Sequence, residues 1–415
     1  MTVAVLSSNS SYHQFAQLLS NTDKVIHYGA PNDAIETDNY VPVPIEIPND
    51  RYIEDNIFPI ADIASRKVDY VLASGIPPAR SNYLHTELAK LNLPYFFPDK
   101  DLTALEMNKA LCKKMLMHLG IPTAPGKVIS GAELYTQFNL LPKPFVIKLS
   151  KYLHGRQTII VDEENAHDVY DDLFSDQTEK IGRLTNIKST DDVLIEDYIK
   201  LDREYSYHAL LNNSNWQYLG SARDYKKRYD NDTGFNYDSA GSYSLFNVDQ
   251  VVHEYADKIY NFLKEYKCYK GFLFLGIGIT TDGTPIVLEI NTRAGDPELQ
   301  VILPVVNNNL SELFKTASTD AMIPTITYNQ KSAVTISVLN RQHDWTKAAT
   351  YLPELKNLPK DIMCGTENYQ TIYAKHSAFT CVADTITEAS TRLYKYLDTQ
   401  YMGQFGYRRD IGILK

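Results

Sequence analysis

Short apolar runs separated by amphipathic stretches organise the chain. Residues 3–6, 25–28 and 68–73 are apolar runs too short for helices and predict buried strands. Residues 12–19 and 81–91 space their apolar side chains for helices between them. Strands alternating with helices predict a parallel sheet with βαβ crossovers. In such sheets ligands gather at the loops beyond the strands' carboxyl ends, which nominates residues 7–11 and 74–79. Further on, residues 102–119 predict one helix, and residues 145–148 and 193–199 predict strands. Residues 251–266 carry a helical apolar stripe that reads as core, without chemistry. Residues 286–288 predict a buried strand, residues 298–306 a new element and residues 310–317 a helix, while residues 332–339 open a last small domain.

A length of 415 residues predicts three or four domains. The 44% hydrophobic content supports sizeable cores. A net charge of −10 argues against a nucleic-acid surface, which needs clustered Lys and Arg. It leaves ATP open, because a few local charges and a divalent cation hold a triphosphate. Cys112, Cys268, Cys364 and Cys381 lie far apart without CxxC spacing, so a reduced, cytoplasmic protein is the simplest expectation. The start of the chain lacks a basic segment ahead of a long apolar run, and no apolar run reaches membrane-spanning length, so no membrane partner is expected. The thirty tyrosines are scattered and suggest no function.

Candidate chemistry concentrates in residues 286–304, IVLEINTRAGDPELQVILP. Glu289 and Asn291 stand two apart and share one face of an extended chain. A carboxylate and an amide oxygen side by side are hard ligands suited to Mg²⁺, which keeps waters and nucleotide phosphates as its remaining ligands. Arg293 continues the alternation and adds a fixed positive fork. A strand ending in a polar turn is the plainer account, and three ligand-type side chains on one face outweigh it. The loop at residues 7–11 contains no glycine, which excludes a dinucleotide-binding turn.

The run Glu289-Ile290-Asn291-Thr292-Arg293-Ala294-Gly295-Asp296-Pro297-Glu298-Leu299-Gln300 resembles the E-x-N-x-R-x-G-D-P-E-x-Q signature of phosphoribosylamine–glycine ligases, a branch of the ATP-grasp superfamily. Residues 271–281 look like that family's adjoining strand, Asn108-Lys109 like its x-S-K segment, and residues 120–123 like its G-I-P-T linker. Residues 193–199 resemble the V-I-E-E-F-L hinge, and residues 203–206 resemble G-E-E-x-S. Residues 405–412 are close to the terminal F-R-R-D-I-G, so the resemblance spans essentially the whole chain.

It fails at several glycine-rich loops. The family's G-x-G-G-R-E-H becomes Ser8-Asn9-Ser10-Ser11-Tyr12-His13, keeping only the histidine. The lid loop A-D-G-L-A-x-G-K-G-V becomes residues 149–158, keeping Gly155 with Arg156 in place of the lysine. A plain basic hairpin turn is the alternative account of that segment. Residues 222–244 keep Asp224, Lys226, Asp230, Asp232, Gly234, Asn236, Gly241 and Tyr243, but the T-G-G-M core becomes Tyr237-Asp238-Ser239-Ala240. The A-S-G-G-Y-P stretch is also missing, replaced by residues 339–344.

The resemblance implies an α/β (α+β) ATP-grasp fold with an N-terminal Rossmann-like parallel-sheet domain and a small C-terminal domain. Its divisions would be 1–100 (Rossmann-like), 101–121 (linker helix), 122–192 (small lid domain), 193–328 (central domain) and 329–415 (C-terminal domain). It implies an ATP-dependent, ADP-forming carboxylate–amine ligase working through an acyl phosphate. Glu289 and Asn291 would hold Mg²⁺, with Mn²⁺ as an alternative. Lys109, Lys148, Gly155 and Arg156 would meet the phosphates, Arg293 would stabilise the acyl phosphate, and catalysis would rest on Arg293, Lys148 and Arg156. Backbone at Glu196, Asp197, Tyr198 and Ile199 would read the adenine, and Glu204 the ribose. Ser10, His13, Asp224, Lys226, Asn236, Asp238, Arg293 and Asp296 would face small-molecule carboxylate and amine substrates, in a monomer or homodimer. Three accounts compete: a ligase of this family with altered substrates, the glycinamide ribonucleotide-forming enzyme itself, and a non-catalytic nucleotide-binding scaffold. The intact Glu289/Asn291/Arg293 set favours an enzyme, and the lost glycines favour altered substrates.

Overall fold

The computed structural model describes the chain except residues 8–9, 32–33, 44, 46–58, 74–77, 151–157, 175–186, 237–238, 266–268, 341–357, 367–376, 401–404 and 414–415. The chain divides into two units, one of Met1–Thr103, Tyr205–Phe274 and Asn291–Lys415, the other of Ala104–Glu204 and Leu275–Ile290. The division into five consecutive segments remains a finer proposal.

In the first unit, a parallel five-stranded sheet runs in the order Tyr40–Val43, Lys24–Tyr28, Thr2–Leu6, Tyr70–Ala73, Tyr95–Phe96. Thr2–Leu6, at its centre, is covered on both faces and is accordingly apolar from Val3 to Leu6. Helix Ser10–Ser20 packs Tyr12, Phe15 and Leu19 into one core with Phe96, Phe272, Ile302 and Phe314. The Phe15 and Phe314 rings lie 4.6 Å apart.

The same unit holds an antiparallel sheet. It orders residues 271–274, residues 205–211, Trp216–Asp224, Gly241–Leu245, Ser332–Asn340, Ser377–Ala383 and Ile362–Thr366. Helix Ile386–Gln400 buries Leu393 and Leu397 against this sheet's core. Gln250–Leu263 is the helix its apolar stripe predicts, with Val252, Tyr255, Ile259 and Leu263 inward. The expected element after the signature is the short helix Glu298–Ile302 and a following 3₁₀ turn.

The second unit is built on an antiparallel sheet of order Gly126–Ser130, Asp192–Asp197, Phe145–Leu149, Thr158–Val161. Ile129, Phe138, Ile147, Val161, Leu173 and Ile195 form its core. A hairpin of residues 275–280 and 285–290 completes this unit, turning at Gly283, whose φ of +89° a side chain would strain.

One expected helix is two. Residues 102–119 form Lys100–Met107 and Lys109–His118, because the Asn108 side chain accepts the Leu111 N–H at 2.9 Å and caps the second helix. Lys109 therefore opens a helix instead of lying within one. Among the described residues, no helix is long and apolar enough to cross a membrane.

Candidate active site

In the second unit the structure gathers cationic side chains around two carboxylates. Lys148, on Phe145–Leu149, lies 2.6 Å from Glu196 and donates to the Leu288 carbonyl at 2.7 Å. Lys113, one turn along the helix that Lys109 opens, reaches the other Glu196 oxygen at 2.9 Å and also donates to Thr123 Oγ1 at 3.2 Å. Lys109 lies 3.6 Å from Glu289. Lys109, Lys113, Lys148 and Glu196 are all buried. Among the described residues, three buried lysines against two carboxylates give this cluster an excess of positive charge. That composition suits polyanionic ligands, since buried charge demands a counter-charge.

Lys113 was not anticipated. Its partner is 83 residues away, and only its place one helical turn from Lys109 gives a signal in the sequence. Glu196 was expected to contribute backbone, but its side chain is the anchor of this cluster. The Asp197 N–H is taken by the Pro125 carbonyl at 2.8 Å. Tyr198 is exposed and Ile199 half-buried just beyond the strand, and Glu204 is exposed on Leu201–Leu211. Gly155 and Arg156 lie outside the described residues.

Glu289 and Asn291 belong to one strand, Pro285–Asn291, and their two-residue spacing puts them on one face. Glu289 is a quarter exposed, and Asn291 is buried. A Cβ on Gly276 would come within 2.9 Å of the Glu289 Cγ, so the missing side chain there makes room for the carboxylate. A carboxylate and an amide oxygen on one strand face are hard donors of the kind Mg²⁺ takes. Among the described residues no cluster of three His, Cys, Asp or Glu could hold a metal.

The strand ends at Asn291, which corrects the expectation that the alternation carries on to Arg293. Arg293 sits in a bend. In the first unit that bend runs into a tight turn. Leu299 N–H bonds to the Gly295 carbonyl at 3.1 Å, and Gln300 Nε2 donates to Asp296 Oδ1 at 3.3 Å. Gly295 N–H donates to His208 Nε2 at 3.1 Å. A Cβ on Gly295 would fall 2.5 Å from a Glu298 carboxylate oxygen, so a side chain there would force the Glu298 carboxylate to move.

The other candidate substrate residues are also in the first unit. Ser10 and Ser11 begin helix Ser10–Ser20, so the loop expected at residues 7–11 is shorter. His13 is buried on that helix, 3.1 Å from Gln17 Nε2, with its ring stacked on Tyr40. Asp224 and Lys226 are half-buried, and Asn236 ends strand Thr233–Asn236. Asp238 lies outside the described residues. Ser239 donates to the Asp224 carboxylate, so a residue of the substituted loop satisfies this acid from within the chain. Arg408, wholly buried, bonds to Asp232 at 2.8 Å, to Asp410 and to the Lys227 carbonyl. It clamps the neighbouring loop, a role the terminal motif did not announce.

Residues 107–299 match the family model for the phosphoribosylglycinamide synthetase ATP-grasp (A) domain. Over its whole length the chain is similar to phosphoribosylamine–glycine ligases, and its fold is that of ATP-grasp proteins. A phosphoribosylamine–glycine ligase of Lactococcus lactis is 27% identical over 99% of both chains. One of Leptospira interrogans is 30% identical over 61% of this chain, which spans 60% of that relative's length. The crystal structure of the Thermotoga maritima phosphoribosylamine–glycine ligase superposes with a TM-score of 0.75 at 20% identity, covering 99% of this chain and 100% of the other. The ATP-grasp fold expected from the signature is therefore present, with the family's parallel-sheet N-terminal part.

Proposed function

We propose that the protein is an ATP-dependent, ADP-forming carboxylate–amine ligase. The buried Lys109/Lys113/Lys148 cluster, with excess positive charge beside Glu289, carries this reading. Lys148 and Lys109 neutralise phosphate oxygens, while Glu196 keeps Lys113 and Lys148 in place. Glu289 and Asn291 hold Mg²⁺, which when bound offsets charge on the triphosphate. Because the Asp197 amide is already committed, the adenine edge is read at Tyr198 and Ile199, with Glu204 accepting from the ribose. Arg293 stabilises the developing negative charge on the activated carboxylate. An amine then displaces phosphate and closes the amide bond, so the protein supplies position and charge and no covalent nucleophile.

The substrates differ from glycine and phosphoribosylamine in this reading. The support is the Ser239–Asp224 bond, made by a residue that stands where the resembled signature has glycine-rich sequence, together with the glycine-free sequence at residues 7–11. Asp238 favours a cationic group over a second anion. The housekeeping reaction that yields glycinamide ribonucleotide is the second reading, favoured by similarity over 99% of the Lactococcus lactis ligase. The two separate in an assay of ADP formation across acid and amine pairs, with mass spectrometry of the product.

A further inference from the structure

His208 is a histidine on an apolar strand, wholly buried, and the ligase reading gives it no task. The strand pairing shifts register between His208 and Ala209, so that His208 faces Gly220 and Ala209 faces Tyr218. Gly220 has φ +151°, and a Cβ there would strike Ile302 at 2.6 Å. This irregularity is thus fixed by packing, and it aims the imidazole at the signature turn. The ring lies 4.6 Å from the Phe274 ring. Its Nε2 accepts the Gly295 N–H at 3.1 Å, and among the described residues its Nδ1 has no hydrogen-bond partner.

We infer that His208 is a positioning residue that fixes the Arg293–Asp296 turn by accepting the Gly295 N–H at an unprotonated Nε2. The inference rests on the reading of Arg293 as a substrate-facing group. Gly295 has no side chain, so its backbone would otherwise be the least constrained point between Arg293 and Asp296. Only one tautomer serves, because Nε2 must be a lone-pair acceptor and the proton must sit on Nδ1. An Nε2–H, or a second proton, would set two donors against each other. Burial, reinforced by the Arg293 charge, lowers the imidazole pKa to about 3, which keeps the ring neutral under ordinary conditions. The orphaned Nδ1–H is the cost of holding this tautomer.

Two measurements that do not depend on turnover test the inference. In the full-length protein with ¹⁵N-labelled histidine, NMR reports the tautomer: His208 should show a pyrrole-type Nδ1 and a pyridine-type Nε2. Amide exchange followed by mass spectrometry reports the turn. His208→Phe keeps a flat aromatic ring, slightly larger, and removes the acceptor, and the segment 292–299 should exchange about ten-fold faster. His208→Gln, whose amide oxygen reaches the Nε2 position, should restore protection and serves as the probe if the Phe variant does not fold. In ADP formation, His208→Phe should lower kcat with little change in the KM for ATP. An Nε2–H tautomer, or a segment 292–299 as protected in the Phe variant as in the wild type, overturns the inference. A wild-type protein that never turns over ATP refutes the ligase reading while leaving both measurements interpretable.

Discussion

Lys148 and Glu196 form a buried ion pair at 2.6 Å, and the same carboxylate holds Lys113 through its second oxygen. One carboxylate therefore neutralises two lysines that reach it from different elements, a helix and a strand. Removing it leaves buried positive charge without compensation. Glu196→Gln is expected to destabilise the protein by ~3 kcal/mol, the scale for breaking a buried pair from one side. Urea unfolding of the variant measures this. A midpoint equal to the wild type's would show that the lysines find other partners.

Glu289→Gln removes one ligand charge and almost no volume. Magnesium-dependent ATP turnover should fall by at least a hundred-fold while the protein stays folded, its melting temperature lowered by a few degrees because buried Lys109 loses a counter-charge. Gly276→Ala attacks the same group sterically, since the new methyl would displace the Glu289 side chain at its Cγ. Its expected signature is a raised magnesium requirement in the turnover assay. Normal magnesium dependence in both variants would remove Glu289 from the metal site.

Much of this arrangement was legible in the sequence, and the exceptions have physical causes. Strand Pro285–Asn291 and helix Gln250–Leu263 follow from local apolar patterning, which needs no knowledge of distant residues. The break at Asn108 was signalled too, because Asn is a preferred helix cap, but the apolar spacing on both sides masked it. The Lys113–Glu196 pair was not legible, since nothing local tells a buried lysine from a solvated one. His208 falls in the same class. Its role depends on a register shift set by Gly220 against Ile302, residues far apart in the sequence.

Two buried histidines set an acid limit on stability. Burial lowers the pKa of His27 to about 4 and that of His208 to about 3, from 6.5. Above pH 6.5 both are neutral whether folded or unfolded, so they carry no penalty. As the pH falls below 6.5 the unfolded chain binds protons that the folded chain refuses, and stability is lost down to pH 4 and 3 respectively. Each histidine contributes a slope of about 1.4 kcal/mol per pH unit. Unfolding free energy should therefore be nearly flat from pH 8 to 7 and drop by about 3 kcal/mol between pH 6.5 and 5. Denaturant titrations at these pH values check it, and a flat profile down to pH 5 would mean that the two rings are charged in the fold.

The central claim is acid- and amine-dependent cleavage of ATP to ADP. The direct measurement is ADP release by purified protein with Mg²⁺-ATP, first alone, then with amino acids and amines in pairs, then with glycine and phosphoribosylamine. Release should be negligible alone and should rise at least a hundred-fold with one acid–amine pair, accompanied by an amide product one water lighter than their sum. Glycine with phosphoribosylamine should be a poor pair. Efficient glycinamide ribonucleotide formation would contradict the altered-substrate reading, and no ADP with any pair, glycine and phosphoribosylamine included, would contradict the ligase itself.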